Sequence, residues 1–184
     1  MTKRTGILIG FLALAIASRF LILAGPAWGN FSPMASMALF AGTYFSNRLQ
    51  AISWTILAVW FSNLLLNNIL YTQYFPTFSL GFDGVHMGIF ALISLLGSAN
   101  AKNAMNPSKF IGTNLISAFG FFILSNFAVW VASEIAYPKN LQGLLACYAA
   151  GLPFLKNSLL SQFLFSGLFF GAFESLKARI PALR

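Results

Sequence analysis

The stretch that decides the fold is IGTNLISAFGFFILSNFAVWV, residues 111–131, a run of 21 residues without a charge. A helix needs roughly 20 mostly apolar residues to cross a bilayer, so this stretch predicts a membrane-spanning helix. The whole chain has the same character, because 58% of its 184 residues are hydrophobic and only 8% are charged. A soluble domain carries roughly 25% charged residues, so this surface must face something other than water.

Five further apolar stretches predict helices at about 5–23, 33–46, 51–70, 84–99 and 153–176. The second of these is short, so it is expected either to be tilted or to span the membrane only in part. Residues 1–29 also resemble a signal peptide, but their apolar run is long enough to span and favours a first helix. A short stretch at 140–151 predicts an interfacial or re-entrant helix. We therefore expect one all-α domain over 1–184, an integral membrane bundle of about six transmembrane helices.

The basic residues predict the orientation of this bundle. Cytoplasmic segments of membrane proteins carry an excess of Lys and Arg. With the N-terminus in the cytoplasm, eight of the eleven basic residues fall on that side: Lys3, Arg4, Arg48, Lys102, Lys109, Lys177, Arg179 and Arg184. A multi-pass protein with both termini in the cytoplasm is therefore expected.

This composition argues against several classes of function. The net charge of +8 does not indicate nucleic acid, because the basic residues are scattered at the ends of apolar runs. The single Cys147 excludes an intrachain disulfide and a multi-cysteine zinc site. With three acidic residues and no nucleotide-binding or hydrolytic motif, we expect no enzyme, no catalytic residue, no metal and no cofactor. Two alternatives stay open, namely metal or corrinoid ligands from Asp83, His86 and Cys147, and a proton relay through Asp83 and His86.

Uncharged polar side chains collect in the half of the predicted bundle that lies away from the basic residues. Polar groups inside a bilayer usually face a cavity or another helix. The set predicts a ligand-binding pocket in the outer half, with Trp130 and Tyr137 as walls and residues 71–78 as a lid. Its members are Asn30, Asn63, Asn67, Asn126 and Gln162.

Such a pocket suits a neutral or zwitterionic molecule, because amides orient a polar ligand without the desolvation cost of a charge. Arg19 is the one charge deep in a predicted span and the only candidate for binding an anionic group. It could equally snorkel towards the membrane surface or pair with Asp83. The competing interpretation is that the amides bond between helices and leave no cavity.

Small residues form a stripe along the first predicted helix, at Gly6, Gly10, Ala13 and Ala17. Such spacing lets another helix approach closely. The stripe predicts either packing within the bundle or docking onto a separate membrane partner.

Several short sequences in order resemble an uncharacterised bacterial family of six-helix proteins described as transport proteins. They include NFSP at 30–33, ALFAG at 38–42, SNFAVW at 125–130 and YP at 137–138, and the resemblance covers residues 19–171. That family is similar in architecture to the substrate-binding components of energy-coupling factor transporters, the S-components. The resemblance implies the bacterial cytoplasmic (inner) membrane, a vitamin or metal ion bound on the outer side, and docking onto an ATPase-bearing partner through the first helix. This chain differs in having Asn63, and a neutral residue near Gln162, where the family has acids, which argues against cation binding or proton coupling.

The sequence thus predicts an uptake component that binds a vitamin-like or other small micronutrient in an outward-facing pocket and passes it across the bilayer with a partner. The alternative is a non-catalytic structural subunit of a larger membrane protein complex. A lipid-modifying enzyme is a third possibility.

Overall fold

The computed structural model describes residues 3–20, 31–133 and 135–183. Within these ranges the chain forms six α-helices and no strand, which confirms the predicted all-helical fold class. The helices are α1 (Lys3–Ser18), α2 (Met34–Tyr44), α3 (Arg48–Ile69), α4 (Gly84–Asn100), α5 (Pro107–Ala132) and α6 (Leu141–Arg179). Short 3-10 helices follow α4 and α6, at Ala101–Asn103 and Pro181–Leu183.

Side chains cap the N-termini of the four long helices. Asn47 accepts from the backbone N–H of Leu49, and Asn140 accepts from Gly143 at the start of α6. Asp83 and Asn106 do the same for α4 and α5. These caps bind N–H groups that have no partner inside the helix, so they fix where each helix begins.

Four helices are long and apolar enough to cross a membrane: Arg48–Ile69, Gly84–Asn103, Pro107–Ala132 and Leu141–Arg179. The chain is therefore a helical membrane protein with four candidate spans in its described part, short of the predicted six. The reason is the length of α1 and α2, which have 16 and 11 residues. The predicted continuation of the first span to residue 23 lies outside the described residues.

The short α2 is the central helix of the bundle. Nine of its eleven residues are buried, and it packs most closely on α4. The two backbones meet at glycines: a Cβ on Gly42 would lie 1.8 Å from the carbonyl oxygen of Ser94, and one on Gly97 would lie 2.3 Å from that of Leu39. Ser98 donates a hydrogen bond of 3.0 Å to the Gly42 carbonyl at the same crossing. The sequence places small residues where a larger side chain would separate the helices.

One half of the bundle has a core of aromatic rings. Phe40 of α2 lies 5.1 Å from Phe11 of α1 and 5.6 Å from Phe173 of α6, measured between ring centroids. Tyr44 lies 4.4 Å from Phe173, and its hydroxyl donates to Glu174 at 2.8 Å. These contacts tie α1, α2 and α6 together at the end of the bundle that carries the basic residues.

The predicted interfacial helix at 140–151 is wrong as a separate element. Residues 141–179 form one helix of 39 residues with Pro153 inside it. The first turns pack on α5, where Cys147 Sγ donates to the carbonyl of Asn126 and the Tyr148 hydroxyl donates to that of Ile123. Both contacts lie on the N-terminal side of Pro153, so the helix is already formed there and continues through the residue that the sequence predicts as its start.

Candidate functional site

A cavity of about 190 Å³ lies in the half of the bundle away from the basic residues. It is lined from the C-terminal end of α1, the start of α2, the middle of α3, the start of α4, and the middle of α5 and α6. Ser32, Met34 and Ala35, at or just before the start of the short α2, belong to this lining. The charged and amide groups on the walls are Arg19, Asn63, Asp83, His86 and Gln162.

Arg19 forms the positive wall. Its Nη1 donates to the Ser62 hydroxyl at 2.9 Å and to Asn63 Oδ1 at 2.8 Å. Asn63 and Ser62 therefore orient the guanidinium from α3. The expected pairing of Arg19 with Asp83 does not occur, because the ion pairs within the described residues are His86–Asp83 and Lys177–Glu174. Asp83 is nevertheless near enough for its charge to attract that of Arg19.

Asp83 and His86 form a second polar part of the wall, at the first turn of α4. One carboxylate oxygen caps the helix by accepting from the backbone N–H of His86 at 3.1 Å. The other lies 2.7 Å from His86 Nδ1. The side chains of His86 and Asp83 are 38% and 40% exposed, so the pair is open to the cavity rather than sealed in the core.

Gln162 and Ser161 are the most buried polar residues of the cavity wall, each 1% exposed. The contacts of Gln162 reach two neighbouring helices. Its Nε2 donates to Asn114 Oδ1 of α5 at 2.8 Å, and the Ser36 hydroxyl of α2 lies 3.2 Å from its Oε1. Both ends of the amide are thus satisfied by neighbouring helices. Gln162 therefore fixes the base of the cavity as well as bounding it.

The remaining wall is apolar. Phe90 of α4 and Phe121 of α5 are stacked with centroids 5.3 Å apart and planes at 20°. The His86 ring lies 5.7 Å from Phe121, so the polar and apolar walls are continuous. Met34 and Val59 complete the apolar lining.

Of the predicted pocket residues, the structure brings together Arg19, Asn63 and Gln162. Asn67 lies elsewhere, because its amide donates to the Ser79 hydroxyl at 3.0 Å and so holds the connection between α3 and α4. The predicted lid, residues 71–78, contributes no residue to the cavity lining, and its Tyr74 and Phe78 are exposed. Asn30 lies outside the described residues.

Asn126 also lies outside the cavity. It faces Gly151 of α6, where a Cβ would lie 2.4 Å from Asn126 Oδ1, and it lines a neighbouring cleft of about 40 Å³. The hydrogen bond of its side-chain amide is local, since Nδ2 donates to the Phe122 carbonyl one turn earlier at 2.8 Å. Asn126 is therefore a packing residue between α5 and α6.

Trp130 and Tyr137 are not cavity walls either. Trp130 Nε1 donates to the Pro138 carbonyl at 2.9 Å, and the Lys139 ammonium lies 5.4 Å from the centre of the Trp130 ring. Tyr137 belongs to the same turn, which connects α5 to α6. These residues hold the α5–α6 turn at the end of the hairpin.

The structure separates the three residues considered as metal or corrinoid ligands. Asp83 and His86 line the cavity, whereas the Cys147 thiol is buried against the Asn126 carbonyl. Among residues 3–20, 31–133 and 135–183, no three His, Cys, Asp or Glu side chains come close enough to hold a metal ion.

The stripe of small residues on α1 faces mostly outward. Gly6 is half-buried, but Gly10, Ala13 and Ala17 are exposed, and a Cβ on Gly10 would meet nothing within 4 Å. Ala13 also lines an apolar groove of about 270 Å³ between α1 and α3, together with Trp54. Among the residues that the structure describes, the stripe therefore has few neighbours along most of its length.

Sequence reasoning missed that Asp83 and His86 share a cavity with Arg19. The signal was present, because Asp83 and His86 stand three apart at the start of a helix on the predicted outer side. It also missed Asn114 of α5, which is not among the predicted pocket residues. Only the packing of α5 on α6 shows that this amide meets Gln162.

Comparison with curated proteins and with solved structures gave no match. The profile of a protein family does match, over residues 1–183, and that family is described as a family of unknown function (DUF6580). Since the match covers nearly the whole chain, this protein belongs to the DUF6580 family.

Proposed function

We propose that this chain is the ligand-binding component of a membrane uptake system, which binds a small molecule in the cavity and passes it across the bilayer with a partner. The observation that carries the proposal is the cavity itself, with Arg19 and Asp83 on its walls and no ion pair between them. Charged groups inside a membrane bundle are costly and usually mark a ligand or ion pathway. Ligand sites combine apolar walls with a few placed polar groups, as Phe90, Phe121 and Gln162 do here.

The orientation of the bundle supports binding from outside the cell. Seven of the eleven basic residues lie at the start of α1, α3 and α5, just beyond the end of α4 or at the end of α6, whereas the cavity lies towards the opposite side of the bundle. The excess of Lys and Arg on cytoplasmic segments then directs the cavity outward and both termini inward. In this arrangement α1 and α2 complete a six-helix passage across the bilayer of the bacterial inner membrane.

The exposed face of α1 supports docking onto a partner. Gly10, Ala13 and Ala17 leave room for a helix of another subunit, and the groove beside Trp54 continues this surface onto α3. A partner is needed because the sequence has no motif for hydrolysing ATP. The proposed partner is an energising module in the same membrane.

A structural subunit of a larger membrane complex is the second candidate. The observation that favours it is the exposure of α5. Only 11% of its most apolar 18-residue stretch is buried inside the chain. Its outward face includes Ile116, Phe119 and Ile123, which are exposed. Lipid or a neighbouring protein would cover this face equally well.

Filling the cavity tests the proposal. Ala35→Phe places a ring in the cavity from α2, whereas Ala99→Phe places the same ring on the exposed end of α4. Native mass spectrometry of protein in lipid nanodiscs, incubated with pooled amino acids, vitamins and nucleobases, should show one bound small molecule. We expect the adduct to be lost from Ala35→Phe and retained by Ala99→Phe.

Two results would contradict the proposal. One is an absence of any adduct on the unaltered protein. The other is an adduct that persists in Ala35→Phe, since the cavity would then not be its site.

A further inference from the structure

We infer that the cavity takes a small zwitterion, with a carboxylate on Arg19 and an ammonium on Asp83, an inference that rests on the proposed ligand-binding function. The two charges stand on different helices of one cavity, at the end of α1 and the start of α4. Neither is neutralised by the other, because Asp83 pairs with His86 and Arg19 is held by neutral groups. A ligand that carries both charges satisfies both walls at once.

Arg19 is oriented to bind an anion. A guanidinium carries five N–H donors in a planar fork, and only Nη1 donates to other described residues, namely Ser62 and Asn63. These two bonds orient the fork, and within residues 3–20, 31–133 and 135–183 no acceptor uses Nε or Nη2, the edge that we propose for the ligand. A carboxylate fits that edge with two parallel hydrogen bonds.

Asp83 is oriented to bind a cation. A carboxylate offers about four acceptor sites, and His86 uses two of them, through its backbone N–H and its ring Nδ1. The remaining lone pairs belong to a side chain that is 40% exposed on the cavity wall. Because both His86 contacts hold Asp83 in one position, its charge is ready for an ammonium group without rearrangement.

The volume and the apolar wall limit what joins the two charges. A cavity of about 150 Å³ in another protein holds benzene, so 190 Å³ is enough to enclose a molecule of about that size. Phe90, Phe121 and Val59 supply apolar contact beside the charged groups. The ligand class that meets these limits is an α-amino acid with a small aliphatic side chain.

Three matched probes test the charge requirement. L-valine carries both charges, isovalerate lacks the ammonium, and valinamide lacks the carboxylate. Isothermal titration calorimetry on the full-length protein in nanodiscs should show L-valine binding about 10- to 100-fold more tightly than either analogue, since each lost charge-assisted contact weakens binding by that factor. Glycine, L-alanine, L-proline and L-leucine, titrated in parallel, define the preferred size.

Two variants assign each charge to its wall. Arg19→Gln should weaken L-valine about 10- to 100-fold and leave valinamide unchanged, whereas Asp83→Asn should weaken L-valine similarly and leave isovalerate unchanged. Lys102→Gln, an exposed charge at the other end of the bundle, should alter none of these affinities. If a cavity variant does not fold, the three probes on the unaltered protein still decide the question.

The outcomes separate this inference from the function on which it rests. Isovalerate or an uncharged molecule binding as tightly as L-valine would overturn the zwitterion and leave the ligand site intact. No binding of any small molecule in the mass-spectrometry screen would overturn the proposed function itself.

Discussion

Gly42 and Gly97 show how single residues set the distance between the two central helices. Each lacks a Cβ where the backbone of the neighbouring helix passes, and the space is too small for one. The same helix α4 contains Gly88, where an added Cβ would meet nothing within 4 Å. Substitutions at the α4 glycines Gly88 and Gly97 therefore distinguish the effect of close helix packing on stability from the effect of helix propensity.

We predict that Gly97→Ala lowers the free energy of unfolding by about 1–3 kcal/mol, because the new methyl group would clash with the Leu39 carbonyl and force α2 away from α4. Gly88→Ala should be neutral or raise stability by about 0.5–1 kcal/mol, since alanine is the better helix former. Thermal unfolding in a mild detergent measures both. Equal effects of the two substitutions would show that α2 and α4 do not meet as described.

At the scale of elements, the sequence predicted three of the four long helices well and the fourth poorly. The expected stretches 84–99 and 111–131 lie within α4 and α5. The stretch 51–70 begins inside α3 and extends one residue beyond its end. Apolar length decided these helices, and it is a local property that a sequence displays. Pro153 misled the prediction for α6, because contacts of Cys147 and Tyr148 with α5 come from distant parts of the chain.

The same limit explains the candidate site. The spacing of Asn63 and Asn67 places both on one helix face, but it does not show which neighbours the face meets. Asn63 meets Arg19, whereas Asn67 meets Ser79. The residue type predicts that these side-chain amides form hydrogen bonds, and only the packing of the helices shows which residues are their partners.

Substitution of the internal proline tests the continuity of α6. Pro153→Ala adds an N–H that can donate to the Ala149 carbonyl, so we expect the free energy of unfolding to rise by about 1 kcal/mol or more. Pro107→Ala is the control, because Pro107 stands in the first turn of α5, where an N–H has no helical partner. Chemical denaturation in detergent gives both values, and a destabilised Pro153→Ala would mean that a new helix starts at the proline.

At the scale of the whole molecule, charge and cavity occupy opposite ends. Arg4 donates to the Tyr44 carbonyl at 2.9 Å, and the Tyr44 hydroxyl donates to Glu174 at 2.8 Å, so the ends of α1, α2 and α6 meet on the basic side. The cavity is lined by the other ends of α1 and α2 and by the middle of α6. The direction in which the bundle is inserted therefore decides both where the basic residues lie and which side of the membrane the cavity faces.

Cysteine labelling measures that polarity. In a Cys147→Ser background, Lys102→Cys and Arg179→Cys should react with a membrane-impermeant maleimide only after the cells are opened, because the positive charges are expected in the cytoplasm. Thr77→Cys, in the exposed connection between α3 and α4, should react in intact cells. The reverse pattern would turn the cavity towards the cytoplasm and exclude uptake from outside.

The unbroken helix α6 has a consequence for the membrane around this protein. Its 39 residues extend about 58 Å at 1.5 Å per residue, whereas the hydrocarbon layer is about 30 Å thick. Tilts of transmembrane helices reach about 40°, and even that inclination leaves a vertical extent of roughly 45 Å. Some three turns must therefore stand among the lipid headgroups or in water, divided between the Leu141 end and the basic Arg179 end of the helix.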